Sequence, residues 1–345
     1  MSRQFLNTIL LLLLFSGLAQ AQDPLFSQFY SMPLVLNPAF AGTTYAPRIS
    51  AAYRNQWPIH DDNTIAYATY AASYEQFIPA FNSGFGVLVL ADNDGSGLFK
   101  TTNFSASYAY RISVNDEFNI RLGINAGFKQ STVDWGRLVF LDQLNPITGS
   151  VDNFGNPNIT NEQRPDDLQT TVFDVGAGLL AYTSKFYGGI SLQHLTTPDE
   201  GFFKTNASLL DGLPLRTSIH AGAEFIVKEG NKRNPSSFVS PNILFAKQGD
   251  QGQINAGAYY NHGLVFAGGW FRYAFSNADA VIAVVGVQYD ILKIGYSYDF
   301  TVGSSLAAKT GGAHEISLVL NFDNSEAMRS KRRAERYNDC FKIFR

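Results

Sequence analysis

Apolar and polar residues alternate along most of this chain with a period of two. Near its end, His314, Ile316, Leu318, Leu320 and Phe322 fall on one side and Glu315, Ser317, Val319 and Asn321 on the other. Successive side chains of an extended strand point to opposite faces, so the alternation predicts a strand with one apolar face. The clearest earlier case sets Phe118, Ile120, Leu122, Ile124, Ala126 and Phe128 against Asn119, Arg121, Gly123, Asn125, Gly127 and Lys129. Applied throughout, the pattern predicts strands over 48–57, 65–76, 84–92, 103–112, 118–129, 171–182, 186–194, 215–227, 238–246, 253–260, 264–275, 280–289, 292–301 and 313–322.

Two further regularities give these strands a context. With the N-terminus placed on the periplasmic side, the short links 113–115, 183–185, 261–263 and 290–291 fall at one end, and the long links 130–170, 195–214 and 302–312 at the other. Short periplasmic turns with longer extracellular loops are the signature of an outer-membrane barrel; a soluble two-sheet sandwich shares the alternation but not this asymmetry. Arg54, Glu75, Arg111, Arg121, Lys129, Asp174, Arg216, Glu224, Arg272 and Glu315 also all lie on the less apolar face of their strands. A charge facing lipid at mid-bilayer costs about 2–4 kcal/mol, so a membrane barrel demands this sorting. The expectation is an all-β fold, a transmembrane antiparallel β-barrel of about fourteen strands, closed by pairing 48–57 with 313–322.

Composition agrees. Charged residues make up 16 % of the chain against 14 % aromatics, a balance suited to a surface in contact with outer-membrane lipids. Residues 1–21 read as a signal peptide: Arg3, then an apolar run from Ile9 to Phe15, then Ala19-Gln20-Ala21 as a cleavage site. The longest later apolar run, Val281 to Val287, is far short of the roughly twenty residues of a spanning helix. One cysteine, Cys340, leaves no disulfide framework, and a net charge of −3 weighs against a nucleic-acid partner.

Around the barrel, 48–322, lie two segments of different character. Residues 22–47 have no period and are rich in aromatics and proline; a solvated linker would be polar, so this one is expected to pack at the periplasmic side or in the lumen. Residues 323–345 form a basic tail carrying Arg329, Lys331, Arg332, Arg333 and Arg336, expected to hang in the periplasm. Its final Phe341, Ile343 and Phe344 are unsuited to water and mark it as a partner-docking segment. The long link 130–170 is a candidate lid or docking surface.

No catalytic, cofactor or metal site is predicted. His60, His194, His220, His262 and His314 are scattered without metal-ligand spacing, and His194 reads as a rim residue. Asp92-Asn93-Asp94-Gly95 opens like a calcium loop but has Asn103 at the twelfth position, so it reads as a polar hairpin tip.

The blocks QDPLFSQFY, LNPAFAGT, AYRNQW, GYSYDF and GGAHEISL resemble, in this order, the PorP/SprF family of the type IX secretion system of Bacteroidetes. Gln28, Asn37, Pro38, Gly42, Arg54, Gln56, Trp57, Tyr296, Tyr298, Asp299, His314 and Glu315 carry the match. The resemblance implies a non-enzymatic outer-membrane accessory of secretion and gliding motility. It implies partners too: a secreted adhesin or its C-terminal domain, and periplasmic ring or peptidoglycan-associated components. The alternative function is an outer-membrane channel for small solutes. From the residues themselves, Arg54, Asp299 and Glu315 all point inward near the expected seam, which suggests a lumenal charge cluster of Arg54 with Asp299 or Glu315.

Overall fold

The computed structural model describes residues 23–58, 67–202, 212–229, 236–275, 279–302, 311–325 and 340–344. Residues 1–21, expected to be a signal peptide, and the basic residues Arg329, Lys331, Arg332, Arg333 and Arg336 of the tail lie outside them.

Each predicted strand is present within a few residues of its expected bounds. In chain order they are β1 (Arg48–Gln56), β2 (Tyr67–Ile78), β3 (Ser83–Asp94), β4 (Phe99–Ser113), β5 (Asn119–Val133), β6 (Gln169–Tyr182), β7 (Phe186–Gln193), β8 (Arg216–Ala223), β9 (Phe225–Lys228), β10 (Ser237–Gln248), β11 (Gln251–His262), β12 (Val265–Ala274), β13 (Asp279–Tyr289), β14 (Leu292–Val302) and β15 (Ala313–Asn321). The segments β8 and β9 lie end to end, with Gly222 opposite Asn242 and Phe225 opposite Val239 of β10, and are interrupted at Glu224. They make one stave, so the fifteen segments form fourteen staves. Every neighbouring pair is antiparallel, and β1 pairs with β15 to close the barrel, with Arg54 opposite Glu315. Closure removes the exposed edges that an open sheet would present.

The alternation sorts the two faces as lipid requires. Large apolar side chains stand exposed on the outside of every strand, among them Phe104, Tyr108, Leu122, Ile124, Phe128, Phe271, Val285 and Ile316. Arg54, Glu75, Arg121, Lys129, Asp174, Arg216, Glu224, Asp299 and Glu315 are buried within. Hydrocarbon satisfies the first set, whereas charge on that face would carry the penalty named above.

The lumen is not a water-filled bore. Residues 23–47 run through it, and nearly all of Phe26–Thr44 is buried. This segment has no strand; it holds a short helix, Pro33–Leu36, and a 3-10 turn, Pro38–Phe40. Phe29, Tyr30, Leu36 and Phe40 join Tyr182, Tyr187, Phe238, Tyr259, Phe266 and Trp270 of the wall in one apolar cluster. The core of this membrane protein therefore sits inside the barrel, at the contact of plug and wall.

One end placement departs from expectation. Strand β1 starts at the short-turn, periplasmic end, yet Asp23 lies at the opposite, long-loop end, beside Lys129, His194 and Gln248. The N-terminal segment thus traverses the lumen, and its first described residue is not at the periplasmic side. Its backbone makes no ladder of its own, so wall side chains along the whole bore supply its partners.

Candidate functional site

The plug is held by groups that the strands aim inward. At the closing seam, Ser27 Oγ donates to Asp299 Oδ2 (2.7 Å) and accepts from Arg54 Nη1 (2.7 Å) and Arg272 Nη2 (2.7 Å). One hydroxyl has a single donor and two lone pairs, and all three are used. Arg54 also pairs with Asp299 (3.0 Å) and Glu315 (3.3 Å), and Arg272 with Asp299 (2.9 Å). The Glu315 carboxylate accepts the backbone N–H groups of Ser27 (2.7 Å) and Gln28 (2.8 Å). Two arginines and two carboxylates thus balance in charge while gripping the plug backbone. Buried charges persist only with such pairing and hydrogen bonding. Both carboxylates, rather than one of them, meet Arg54. Ser27 and Arg272 complete the cluster; Arg272 carries an inward-face signal in the alternation, whereas nothing in the sequence singles out Ser27.

Further along, Gln28 Nε2 donates to Ser297 Oγ (3.2 Å), and its Oε1 accepts from Ser317 Oγ (2.8 Å). The Asn37 side chain caps the Pro38 turn by accepting from Ala39 N–H (2.8 Å), while its amide donates to the carbonyls of Leu179 (3.1 Å) and Ile190 (3.2 Å). Gly42 has φ +68, and its N–H donates to Glu75 Oε2 (3.0 Å). Arg121 donates from Nε to the Ala39 carbonyl (3.0 Å) and from Nη2 to that of Ala41. Close approach of plug to wall needs glycine at two wall positions. A Cβ on Gly84 would strike the Ala41 carbonyl, and one on Gly123 would strike the backbone of Pro38 and Ala39.

The residues that carry the family pattern divide into two groups. Gln28, Asn37, Pro38, Gly42, Arg54, Asp299 and Glu315 belong to the plug and its seat, with Gln56 accepting from Arg54 Nη2 (3.3 Å) beside them. Tyr296, Tyr298 and His314 stand on the outer face: Tyr296 Oη meets His314 Nδ1 (2.8 Å), and Tyr298 donates to the Gly311 carbonyl (3.0 Å). Trp57 follows β1 with φ 58 and packs edge-on against Tyr67, their ring centres 5.4 Å apart. Aromatic side chains at this level form the girdle expected at a membrane interface.

At the long-loop end, His194 is buried, not a rim residue, because its ring is held on both sides. Nδ1 meets Asp174 Oδ2 (2.8 Å) and Nε2 meets Asp23 Oδ2. Burial alone would lower its pKa, but the hydrogen bonds and charges of Asp174 and Asp23 outweigh burial and raise it to about 9. A raised folded pKa stabilises fully below the unfolded value of 6.5 and is lost as pH rises through about 9. The end of the plug is therefore expected to loosen as pH rises from about 6.5 to about 9. A thiol introduced by Asn82→Cys at the exposed far end would not respond, whereas one introduced by Leu25→Cys, half-buried beside the Asp23 end, would become more accessible. In His194→Gln the pH dependence should vanish; an unchanged profile would refute the role of the imidazolium.

The long loop between β5 and β6, residues 134–168, is built by short polar ties. Asp142 accepts from Thr160 Oγ1 (2.9 Å) and Asn161 N–H (2.6 Å), and Asp152 from the N–H groups of Phe154 (2.8 Å) and Asn156 (2.9 Å). Those bonds, first from Asn161 and from Asn156 respectively, hold both carboxyls below the usual carboxylate range. The neighbouring tip Asp92-Asn93-Asp94 is the end of β3, followed by a 3-10 turn at Gly95–Gly97.

The fold and lumen define a plugged β-barrel of the outer membrane. The profile of the type IX secretion system membrane protein PorP/SprF family matches residues 18–320. The chain belongs to that family. No curated protein matches it significantly. Among solved structures it is similar to a TodX monoaromatic hydrocarbon channel mutant lacking S2 and S3, with 10 % identity, 84 % of this chain and 94 % of that one covered, and a TM-score of 0.47. A Pseudomonas aeruginosa FadL homologue gives 12 %, 80 %, 90 % and 0.37 for the same measures. BamA from Haemophilus ducreyi, lacking POTRA domains 1–3, gives 9 %, 80 %, 70 % and 0.38.

Proposed function

We propose that the protein is a docking component of the type IX machinery that holds or delivers a secreted adhesin-type protein, through its C-terminal domain, at the cell surface. The observation that carries this reading is the apolar display on loop 134–168. Leu141 is 88 % exposed, Ile147 93 %, Phe154 91 % and Ile159 91 %, all outside the lipid-facing strands. Large apolar side chains held this far into water on a tied loop mark an interaction surface. The filled lumen supports docking over solute passage. On the periplasmic side, the partners in this reading are ring or peptidoglycan-associated components, and no chemical step is assigned to the barrel.

Affinity capture of the cross-linked membrane complex, followed by mass spectrometry, tests the proposal. The expected yield is a secreted surface protein together with periplasmic components of the machinery. Replacing Ile147, Phe154 and Ile159 by serine is expected to lower recovery of the surface protein at least ten-fold while leaving barrel abundance unchanged. Loss of two or three apolar anchors at roughly 1 kcal/mol or more each is enough for that. Recovery of neither partner class from the unaltered protein would overturn the reading.

A further inference from the structure

The C-terminal residues Cys340–Phe344 pack inside the barrel at its periplasmic mouth, although the chain leaves the wall at the end of β15. Lys342–Phe344 forms a 3-10 turn, and the Phe344 N–H donates to the Phe341 carbonyl (3.0 Å). Residues three apart eclipse in such a turn, so Phe341 and Phe344 present their rings on one side. The Phe341 ring centre lies 4.7 Å from that of Tyr182, and that of Phe344 lies 4.7 Å from Phe40 and 5.3 Å from Tyr187. Arg48 Nη1 donates to the Phe344 carbonyl, holding the end of the segment.

Between the two rings the seat reads a cation. Glu224, buried where β8 gives way to β9, accepts from Lys342 twice: from the backbone N–H (3.1 Å) and from the ammonium. The same ammonium lies 5.7 Å from the centre of the Phe238 ring. The seat is thus an aromatic box with one carboxylate and one guanidinium, complementary to an aromatic–Lys–x–aromatic segment. Every residue of the seat lies within the family match, which ends at residue 320, while the segment that fills it lies beyond. Wall and plug therefore supply every residue of the seat, and its occupant comes from the chain beyond residue 339.

We propose that the periplasmic mouth is a peptide-binding site for an aromatic–Lys–x–aromatic segment, occupied in cis by the chain's own C-terminus and exchangeable with a periplasmic protein bearing that pattern. Exchange would couple release of the tail to arrival of the partner, because both use the same carboxylate and the same aromatic box.

The chain's single cysteine is placed to report on this. Cys340 is buried beside Phe341. In the full-length protein, Cys340 is expected to react with a maleimide at least ten-fold more slowly than the same residue in a free tail peptide. Adding a cysteine-free hexapeptide, SFKIFR, at saturating concentration should accelerate labelling about ten-fold, and the peptide SAKIAR should not. Glu224→Gln should accelerate labelling without any peptide. The hexapeptide, labelled with a fluorophore, should also bind saturably to a chain ending at Asp339, whose folding is checked by heat-modifiable electrophoretic mobility. Labelling of the intact protein at the free-peptide rate would overturn the proposal, as would a rate unmoved by SFKIFR or accelerated equally by SAKIAR.

Discussion

Replacing Gly123 with leucine is expected to drive the N-terminal segment from its seat and make the barrel conduct ions. Gly123 lies on the inward face of β5, where the backbone of Pro38 and Ala39 passes so close that even a Cβ would collide. The collision is with backbone, which cannot rotate away as a flexible side chain can. The Pro38–Phe40 turn is further fixed by Asn37 and Arg121, so the plug cannot shift locally. Forcing extra volume into a packed site costs about 1–3 kcal/mol, and here the relief is outward movement of the plug. In planar bilayers the unaltered protein should show no steady conductance, and the Gly123→Leu variant resolvable steps. Outward positions such as Ile124 serve as controls, since Ile124→Leu changes only the lipid face. A silent but folded Gly123→Leu barrel would refute the view that this contact seats the plug.

The second large effect is expected at Arg54. Its guanidinium meets Asp299, Glu315 and Ser27, and the alanine variant leaves Glu315 buried with only the plug backbone N–H groups for partners. Breaking one side of a buried ion pair typically costs about 3–5 kcal/mol, much of it the burden of the uncompensated charge. Denaturant unfolding of Arg54→Ala should reveal that loss. Arg54→Met combined with Glu315→Gln should recover more than half of it, because the stranded charge is gone. If single and double variants lose the same stability, the seam cluster is not a coupled unit.

How much of this was legible in advance depended on whether the information was local. A strand's side chains alternate because of backbone geometry at each residue, so the inward charges and outward aromatics declare both faces without knowledge of neighbours. Closure followed from the same alternation. Strand 48–57 and strand 313–322 are the first and last, and a barrel leaves them no other partners; the register Arg54 opposite Glu315 then placed the charges together.

The lumen was not legible in that way. Ser27 lies 272 positions from Asp299 in the chain, and no period links them. His194 read as a rim residue because its partner Asp23 comes from an aperiodic segment 171 positions away. The terminal Phe341 and Phe344 showed that the tail would avoid water, and the expectation looked to a separate partner. The structure instead folds them back on Phe40, Tyr182 and Tyr187 of the same chain.

By itself, then, the sequence determined an all-β barrel, its strand order, its lipid-facing and lumenal faces, and its membership of a secretion family. Each of these follows from alternation or from a contiguous block of residues. Only the tertiary structure decided what fills the barrel and which end of it holds Asp23. It alone decided that Ser27 and Arg272 complete the seam cluster, and that the C-terminus sits in a built aromatic seat. The physical reason is that a plug makes no ladder. Its position depends on many side chains from distant strands satisfying its backbone at once, and that condition exists only when the barrel has closed.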